Sequence, residues 1–284
     1  MTSQLFILPA PAQPVADRSP VPPSRMDSHT TMTASAPLDS LWCRTFEPAP
    51  RADRRLVCFP HAGGSASYFR PVATALSPRV EVIAVQYPGR QDRRLEPPVD
   101  DIGLLADQIA DALAPCAEPL HLFGHSMGAL VAFEVALRLQ RAGRTPVQLF
   151  VSGRTAPTGP ARVPLDPGDA ELIADVRRLN GTEAGLLEDD ELLEMILPAI
   201  RNDYRAVARY RGDAAAMLSC PITAMLGDAD PRAGVEETEG WKAHTSGGFD
   251  LQVFSGGHFY LSDRPAEVLD LLRRRLLGAD PRLR

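Results

Sequence analysis

The chain has 284 residues, of which 44% are hydrophobic and 23% charged, with a formal net charge of −6. That length and apolar content fill one full α/β core, and the acidic balance argues against a nucleic-acid-binding protein. No apolar run reaches the roughly 18 residues a membrane span needs, so the cytoplasm is the expected location. The cysteines Cys43, Cys58, Cys116 and Cys220 are scattered without C-x-x-C or metal-ligand spacing, and they read as reduced, buried thiols.

In chain order, residues 1–38 are rich in Pro, Ser, Thr and Ala and are expected to be a disordered tail. The apolar start Leu5-Phe6-Ile7-Leu8 has no preceding positive charge and meets Pro9, so it does not read as a signal peptide. Met26 and Met32 are alternative starts. A single domain over 39–284 begins near Leu41-Trp42 and then alternates. Strands are predicted at 55–59, 80–86, 119–123, 147–152, 221–227 and 249–254. Helical periods fall at about 66–76, 102–114, 127–141 and 264–276. That alternation predicts a mainly parallel sheet with helices on both faces.

Between Val151 and Cys220 the pattern is only helical, near 168–179 and 190–210, on either side of Asn180-Gly181-Thr182-Glu183-Ala184-Gly185. An insertion there reads as a helical lid, at about 155–218, over the face that carries the chemistry. Its apolar positions are Leu172, Ile173, Val176, Leu179, Leu192, Leu193, Met195, Ile196 and Leu197, joined by Tyr204 and Tyr210. Most are expected to pack on the domain or on each other, and some to line a substrate pocket.

The chemistry centres on Gly124-His125-Ser126-Met127-Gly128, which joins the apolar run Leu120-His121-Leu122-Phe123 to a long helical pattern. This is the G-x-S-x-G nucleophile elbow in its strand–turn–helix setting. The two glycines allow a sharp turn and close packing of helix on strand, which pushes the Ser126 hydroxyl out at the bend. A serine hydroxyl is a weak nucleophile at neutral pH, so a base and an orienting acid are required. On an α/β-hydrolase sheet they follow in the order Ser, Asp or Glu, His.

Of the six histidines, His258 has that order, a preceding strand and the flanking Gly256-Gly257, which makes it the expected base. His29 lies in the tail, His121 inside a strand, and His244 in a polar stretch. His125 is expected to point away from Ser126 and shape the elbow. For the acid, Gly227-Asp228-Ala229-Asp230-Pro231 offers two carboxylates. Asp230, fixed by Pro231, is the preferred one, and Asp228 is assigned a hydrogen bond within the turn. The strand at 55–59 runs into Pro60-His61-Ala62-Gly63-Gly64-Ser65. An oxyanion hole is expected from the backbone amides of Met127 and, most plausibly, Ala62. A phosphate-cradling loop is discounted there, because no lysine follows and the G-x-G-x-x-G spacing is missing.

These motifs resemble the stand-alone (type II) thioesterases that accompany modular polyketide and non-ribosomal peptide synthases. The resemblance rests on the stretch from Leu56 to Ser65, on Gln86-Tyr87-Pro88-Gly89-Arg90-Gln91-Asp92-Arg93 and on the elbow. It continues through Val151-Ser152-Gly153-Arg154, Leu179-Asn180-Gly181-Thr182, Gly227-Asp228-Ala229-Asp230-Pro231 and Gly256-Gly257-His258-Phe259, so it runs from about Leu41 to Leu277. The long N-terminal tail departs from that family. By spacing alone, Gln-Tyr-Pro-Gly-Arg is only a strand leaving into a tight turn.

The resemblance implies an α/β-hydrolase fold and hydrolysis of acyl thioesters on the phosphopantetheine arm of acyl carrier protein domains, clearing stalled or aberrant units. Ser126, Asp230 and His258 form the triad in that reading. No metal or redox cofactor is expected, since the pantetheine arrives with the substrate. Arg90, Arg93 and Arg94 form a basic cluster open to two readings, a dock for an acidic carrier helix or a solvated turn. A general esterase, an acyltransferase or cyclase on the same elbow, and a non-catalytic ligand-binding relative are the alternative readings.

Overall fold

The structure, a computed structural model, describes residues 40–159, 163, 166–179 and 190–278. The predicted tail over residues 1–38, the loop from Asn180 to Gly185, and the side chains of Leu192, Leu193 and Met195 lie outside the described residues.

Among the described residues seven strands form one sheet: β1 (Cys43–Thr45), β2 (Arg54–Phe59), β3 (Val80–Val85), β4 (Leu120–His125), β5 (Gln148–Ser152), β6 (Ile222–Gly227) and β7 (Phe249–Phe254), in the order β1-β3-β2-β4-β5-β6-β7. β1 runs antiparallel to β3, and the other neighbours pair in parallel. β1 is the strand the sequence pattern missed. It has three residues at the sheet edge with only Cys43 buried, too short to show a period.

The helices are α1 (Arg70–Leu76), α2 (Ile102–Leu113), α3 (Met127–Arg141), α4 (Asp169–Leu179), α5 (Asp190–Arg209), α6 (Val235–Glu239), α7 (Tyr260–Asp263) and α8 (Pro265–Leu277). The side-chain period of two divides β2 between two cores. Val57 and Phe59 join one core with residues of α2 and α3, while Leu56 and Cys58 join the other with residues of α1 and α8. Burial on both faces is why the strands read as continuous apolar runs. In α3 most of the surface is buried, including Leu130, Val131, Phe133 and Val135. Each such side chain contributes about 1.5–3 kcal/mol of transfer free energy.

The topology fixes where a site forms. The chain passes from β2 to β3 on one side and then returns to place β4 on the other, so the connections diverge between β2 and β4. Open α/β sheets bind ligands in the crevice such a reversal leaves at the strand C-termini. Phe59 pairs with Gly124 across that gap, which sets the loop after β2 beside the turn after β4. α4 and α5 occupy the chain between β5 and β6.

The approach at that gap is backbone on backbone. A methyl group on Gly128 would overlap the Phe59 carbonyl, and one on Gly124 would overlap the Gly128 carbonyl. No side chain can swing aside to relieve either contact. Gly128→Ala is therefore expected to cost about 3 kcal/mol of stability, the upper end of what overpacking costs. Gly168→Ala, where nothing lies within 4 Å, is expected to stay within about 0.5 kcal/mol. Urea denaturation of both variants measures the contrast, and equal midpoints would contradict it.

Candidate active site

Ser126 sits alone between β4 and α3 with φ 55° and ψ −115°. A non-glycine residue there carries roughly 1–3 kcal/mol of backbone strain, which the surroundings must overcome. Two hydrogen bonds help to hold it: the Ser126 amide donates to the Ser152 carbonyl at 2.8 Å, and the Ser126 carbonyl accepts from the Ala129 amide at 3.1 Å. Met127 opens α3, so its amide is among the first N–H groups of the helix that have no intrahelical acceptor.

β6 and β7 deliver the other polar groups. Gly227 at the end of β6 packs on the Gly256 and Gly257 carbonyls so closely that a methyl group there would collide with both. The Asp228 amide donates to the Phe254 carbonyl at 2.8 Å, and its carboxylate accepts from the Gly256 amide at 3.0 Å. Asp228 thus ties the two loops together at an exposed position, so its bond reaches across to the loop after β7 rather than staying within its own turn. Asp230 faces inward. Its two carboxylate oxygens lie 3.0 and 2.8 Å from His258 Nδ1, and its side chain is fully buried. One of them also accepts from the Arg232 amide at 2.8 Å.

Ser126, His258 and Ala62 line a single cavity of about 380 Å³. Asp230 lies behind His258, so the structure brings all the sequence-derived candidates to one place, with Met127 directly after the serine. Val176 and Leu179 of α4 and Ile196, Ile200 and Val207 of α5 form an apolar wall of that cavity. Arg154 and Arg232 also reach it. Arg232 pairs with Asp175 of α4, and the Tyr204 hydroxyl donates to the same carboxylate oxygen at 2.9 Å. This ties the loop bearing Asp230 to both helices.

Three imidazoles gather at the cavity: His61 and His258 line it, and His125 packs against both. His125 lies 5.0 Å from the His258 ring and 5.9 Å from the His61 ring, centroid to centroid. His125 Nδ1 shares a hydrogen bond with the Ser152 hydroxyl at 3.0 Å, and that hydroxyl meets the Tyr260 hydroxyl at 2.7 Å. Gly153, at φ 59°, makes the close packing possible, since a methyl group there would sit 2.7 Å from the His125 ring and 3.3 Å from the His258 ring. That contact gives the Val-Ser-Gly-Arg stretch its reason. Burial and the neighbouring imidazoles push His125 well below the usual histidine range, and burial first, then His258 and Arg90, pushes His61 down to about 3. His121, buried within β4, is lowered to about 4 by burial. His244, in a stretch that reads as polar, is in fact buried, with Nδ1 2.9 Å from the Ala216 carbonyl oxygen.

The basic cluster after β3 needs correction. Arg90 and Arg93 are 7% and 5% exposed, and neither is a solvated docking charge. Arg93 pairs with Glu96 at 2.5 Å and lies over the Trp42 ring at 4.2 Å. Arg90 forms two bonds to Asp203 of α5, at 2.6 and 2.8 Å. Only Arg94 of the three is exposed. Asp203 itself escaped the sequence reading, because one acid among the polar positions of an amphipathic helix carries no signal.

Competing chemistries find little support. The cysteines are all buried, and burial raises the thiols, Cys43 to about 12 and Cys220 to about 11, so each stays protonated at neutral pH. Among the described residues no cluster of His, Cys, Asp and Glu could hold a metal ion, and no helix is long and apolar enough to cross a membrane.

The parallel sheet, the strained serine between β4 and α3, and the His–Asp pair after β7 and β6 define an α/β-hydrolase with a serine at its nucleophile elbow. A family model of the thioesterase domain matches residues 54–276. Thioesterase PikA5 of Streptomyces venezuelae is 48% identical over 241 residues, covering 84% of this chain and 86% of the relative. Among solved structures, the type II thioesterase BorB from the borrelidin biosynthetic cluster superposes with a TM-score of 0.76 at 45% identity, covering 85% of this chain and 99% of that one. RedJ, a thioesterase from the prodiginine pathway of Streptomyces coelicolor, gives 0.76 at 38% identity, covering 81% and 88%. The chain belongs to the thioesterase family, with the type II thioesterases of polyketide and non-ribosomal peptide synthesis.

Two outcomes follow from the geometry. Asp230→Asn is expected to lower turnover by about 10⁴-fold, as loss of an orienting carboxylate does, while Asp228→Asn stays within tenfold of the parent. Steady-state rates of both variants test the assignment, and the reverse ranking would overturn it. The second concerns stability. His61, His121 and His125 have folded values far below the 6.5 of an unfolded histidine, so on acidification the unfolded chain takes up protons that the folded protein refuses. Stability is then fully present above about pH 7 and falls through pH 6 and 5. Urea midpoints at the two pH values read this directly, and a flat profile would contradict it.

Proposed function

We propose that this thioesterase hydrolyses acyl groups held as thioesters on the phosphopantetheine arm of acyl carrier protein domains, clearing stalled or aberrant units from a polyketide or non-ribosomal peptide synthase. The observation that carries the mechanism is the juxtaposition of Ser126, His258 and Ala62 on one cavity, with Asp230 on His258 Nδ1. The names of the relatives support the biosynthetic setting.

His258 takes the Ser126 proton as the hydroxyl oxygen attacks the thioester carbonyl. The oxyanion sits against the Met127 and Ala62 amides, where each donor is worth about a hundred- to a thousandfold in turnover. Asp230 holds the imidazole in the tautomer that leaves the far nitrogen free for the serine, and it stabilises the imidazolium. Collapse breaks the C–S bond, His258 returns the proton to the departing thiolate, and an acyl-serine remains. Water, deprotonated by His258, then adds to that ester and releases the free acid and Ser126. These steps need no metal or redox group. His61 and His125, both neutral, add no like charge beside the imidazolium that Asp230 stabilises.

The apolar wall from α4 and α5 gives the acyl chain a dry surface, which supports a lid role for the two helices. The substrate's arm supplies the pantetheine, so the carrier is both substrate and partner.

Two comparisons test the reading together. Ser126→Ala is expected to leave folding intact and to lower turnover by roughly 10⁴–10⁶-fold. The parent enzyme is expected to release short acyl groups from a carrier protein faster than from free-pantetheine thioesters or oxygen esters. A Ser126→Ala rate within tenfold of the parent would remove the nucleophile assignment, and equal cleavage of simple esters would make the protein a general esterase.

A further inference from the structure

The stretch Gln86-Tyr87-Pro88-Gly89-Arg90 does more than turn the chain after β3. It grips the loop that carries Ala62 at three points. The Tyr87 hydroxyl donates to the Pro60 carbonyl at 3.2 Å, Arg90 Nη1 donates to the Gly64 carbonyl at 3.2 Å, and the Gln86 side-chain oxygen accepts from the Ala66 amide at 3.1 Å. All three side chains are buried.

The loop's other face rests on α5. Asp203, wholly buried, accepts from the Gly63 amide at 2.7 Å through the same carboxylate oxygen that takes Arg90 Nη1 at 2.6 Å. Its second oxygen takes Arg90 Nη2 at 2.8 Å. One turn earlier on the same helix face, Ile200 presses on Gly63, where a methyl group would lie 2.5 Å from Ile200 Cγ1. Gly63 holds φ 77°, a conformation a residue with a side chain rarely adopts. The Gly63 amide belongs to the peptide that begins at the Ala62 carbonyl. Its bond to Asp203 therefore fixes the plane next to the Ala62 amide.

We propose that Asp203 and Arg90 are positioning residues for the oxyanion hole, and that through them α5 and the Ala62 loop behave as one body. The proposal rests on the reading of Ser126 as nucleophile and Ala62 as an oxyanion donor. A buried carboxylate alone would be costly, and Arg90 supplies its counter-charge. Burial disfavours the Arg90 charge, yet the facing carboxylate outweighs it and holds the guanidinium more firmly protonated than usual. Arg90 thus lets a full negative charge sit against the Gly63 amide, where a charged acceptor holds about twice as strongly as a neutral one. Substrate contact is not asked of either residue. Their effect falls on the transition state, where the oxyanion forms, rather than on ground-state binding.

The test uses the full chain and two probes. The first is the acetyl thioester of N-acetylcysteamine, read as kcat and KM. The second is an alkyl fluorophosphonate, whose phosphorus Ser126 attacks with loss of fluoride while the phosphoryl oxygen occupies the oxyanion hole. Asp203→Asn keeps the shape and removes the charge. Its kcat and its fluorophosphonate labelling rate are expected to fall together by roughly 100-fold, the scale of a small misplacement in a reacting geometry, with KM within threefold. Arg90→Lys keeps a charge opposite Asp203 but loses the fork and the Gly64 contact, and is expected to lose about tenfold in both readouts. Labelling and kcat of Asp203→Asn within threefold of the parent, or a loss confined to KM, would overturn the proposal. If Asp203→Asn shows no cooperative unfolding transition, Arg90→Lys decides, and a loss below twofold overturns it. A parent protein that the fluorophosphonate leaves unlabelled would instead overturn the reading of Ser126.

Discussion

Everything at this site depends on backbone meeting backbone at the ends of β2 and β4. Gly128 lies against the Phe59 carbonyl and Gly124 against Gly128, so the turn holding Ser126 and the loop holding Ala62 share one rigid contact. A serine alone at an exposed bend has no defined relation to an oxyanion donor. Here that relation is set by sterics before any side chain contributes. The same device recurs after β6 and β7, where Gly227 meets the carbonyls before His258. The site is two backbone junctions at the C-terminal edge of one sheet, and the chemistry-bearing side chains project from them.

Electrostatics then sorts groups of the same type into different work. Three histidines stand within ring contact, yet only His258 has a carboxylate on its Nδ1. His61 and His125, deprived of water and facing other imidazoles, are held neutral and pack, and His125 also bonds the Ser152 hydroxyl. The two aspartates of the β6 loop divide in the same way. Asp228 is exposed and spends its carboxylate on a backbone amide, while Asp230 is buried against the imidazole. Residue type sets what a side chain can do, and enclosure decides which copy does it.

Much of this was legible in the amino-acid order. The elbow, the Ser-Asp-His sequence and the six longer strands follow from local glycine placement and apolar runs, which need no knowledge of distant contacts. Asp230, preferred over Asp228 because Pro231 fixes the loop's exit, is the one that lies against His258 Nδ1. Three features were not legible. β1 is too short to carry a period, Asp203 looks like any polar position on an amphipathic helix, and Arg90 and Arg93 look like a solvated basic turn. Each of these is decided by partners far away in sequence, Val85 for Cys43, Arg90 for Asp203, and Trp42 for Arg93. Local pattern cannot see such pairings, and one of them, Arg90 with Asp203, grips the loop that lines the cavity.

The order of the strands also sets a schedule for birth. Ser126 and Ala62 belong to the first half of the chain, whereas Asp230 and His258 arrive with β6 and with β7, the last strand and the sheet's outer edge. A ribosome-bound chain can therefore assemble the elbow while β6 and β7, with Asp230 and His258, are still to be made. On the proposed mechanism, a chain that stops after β5 carries the serine without its base.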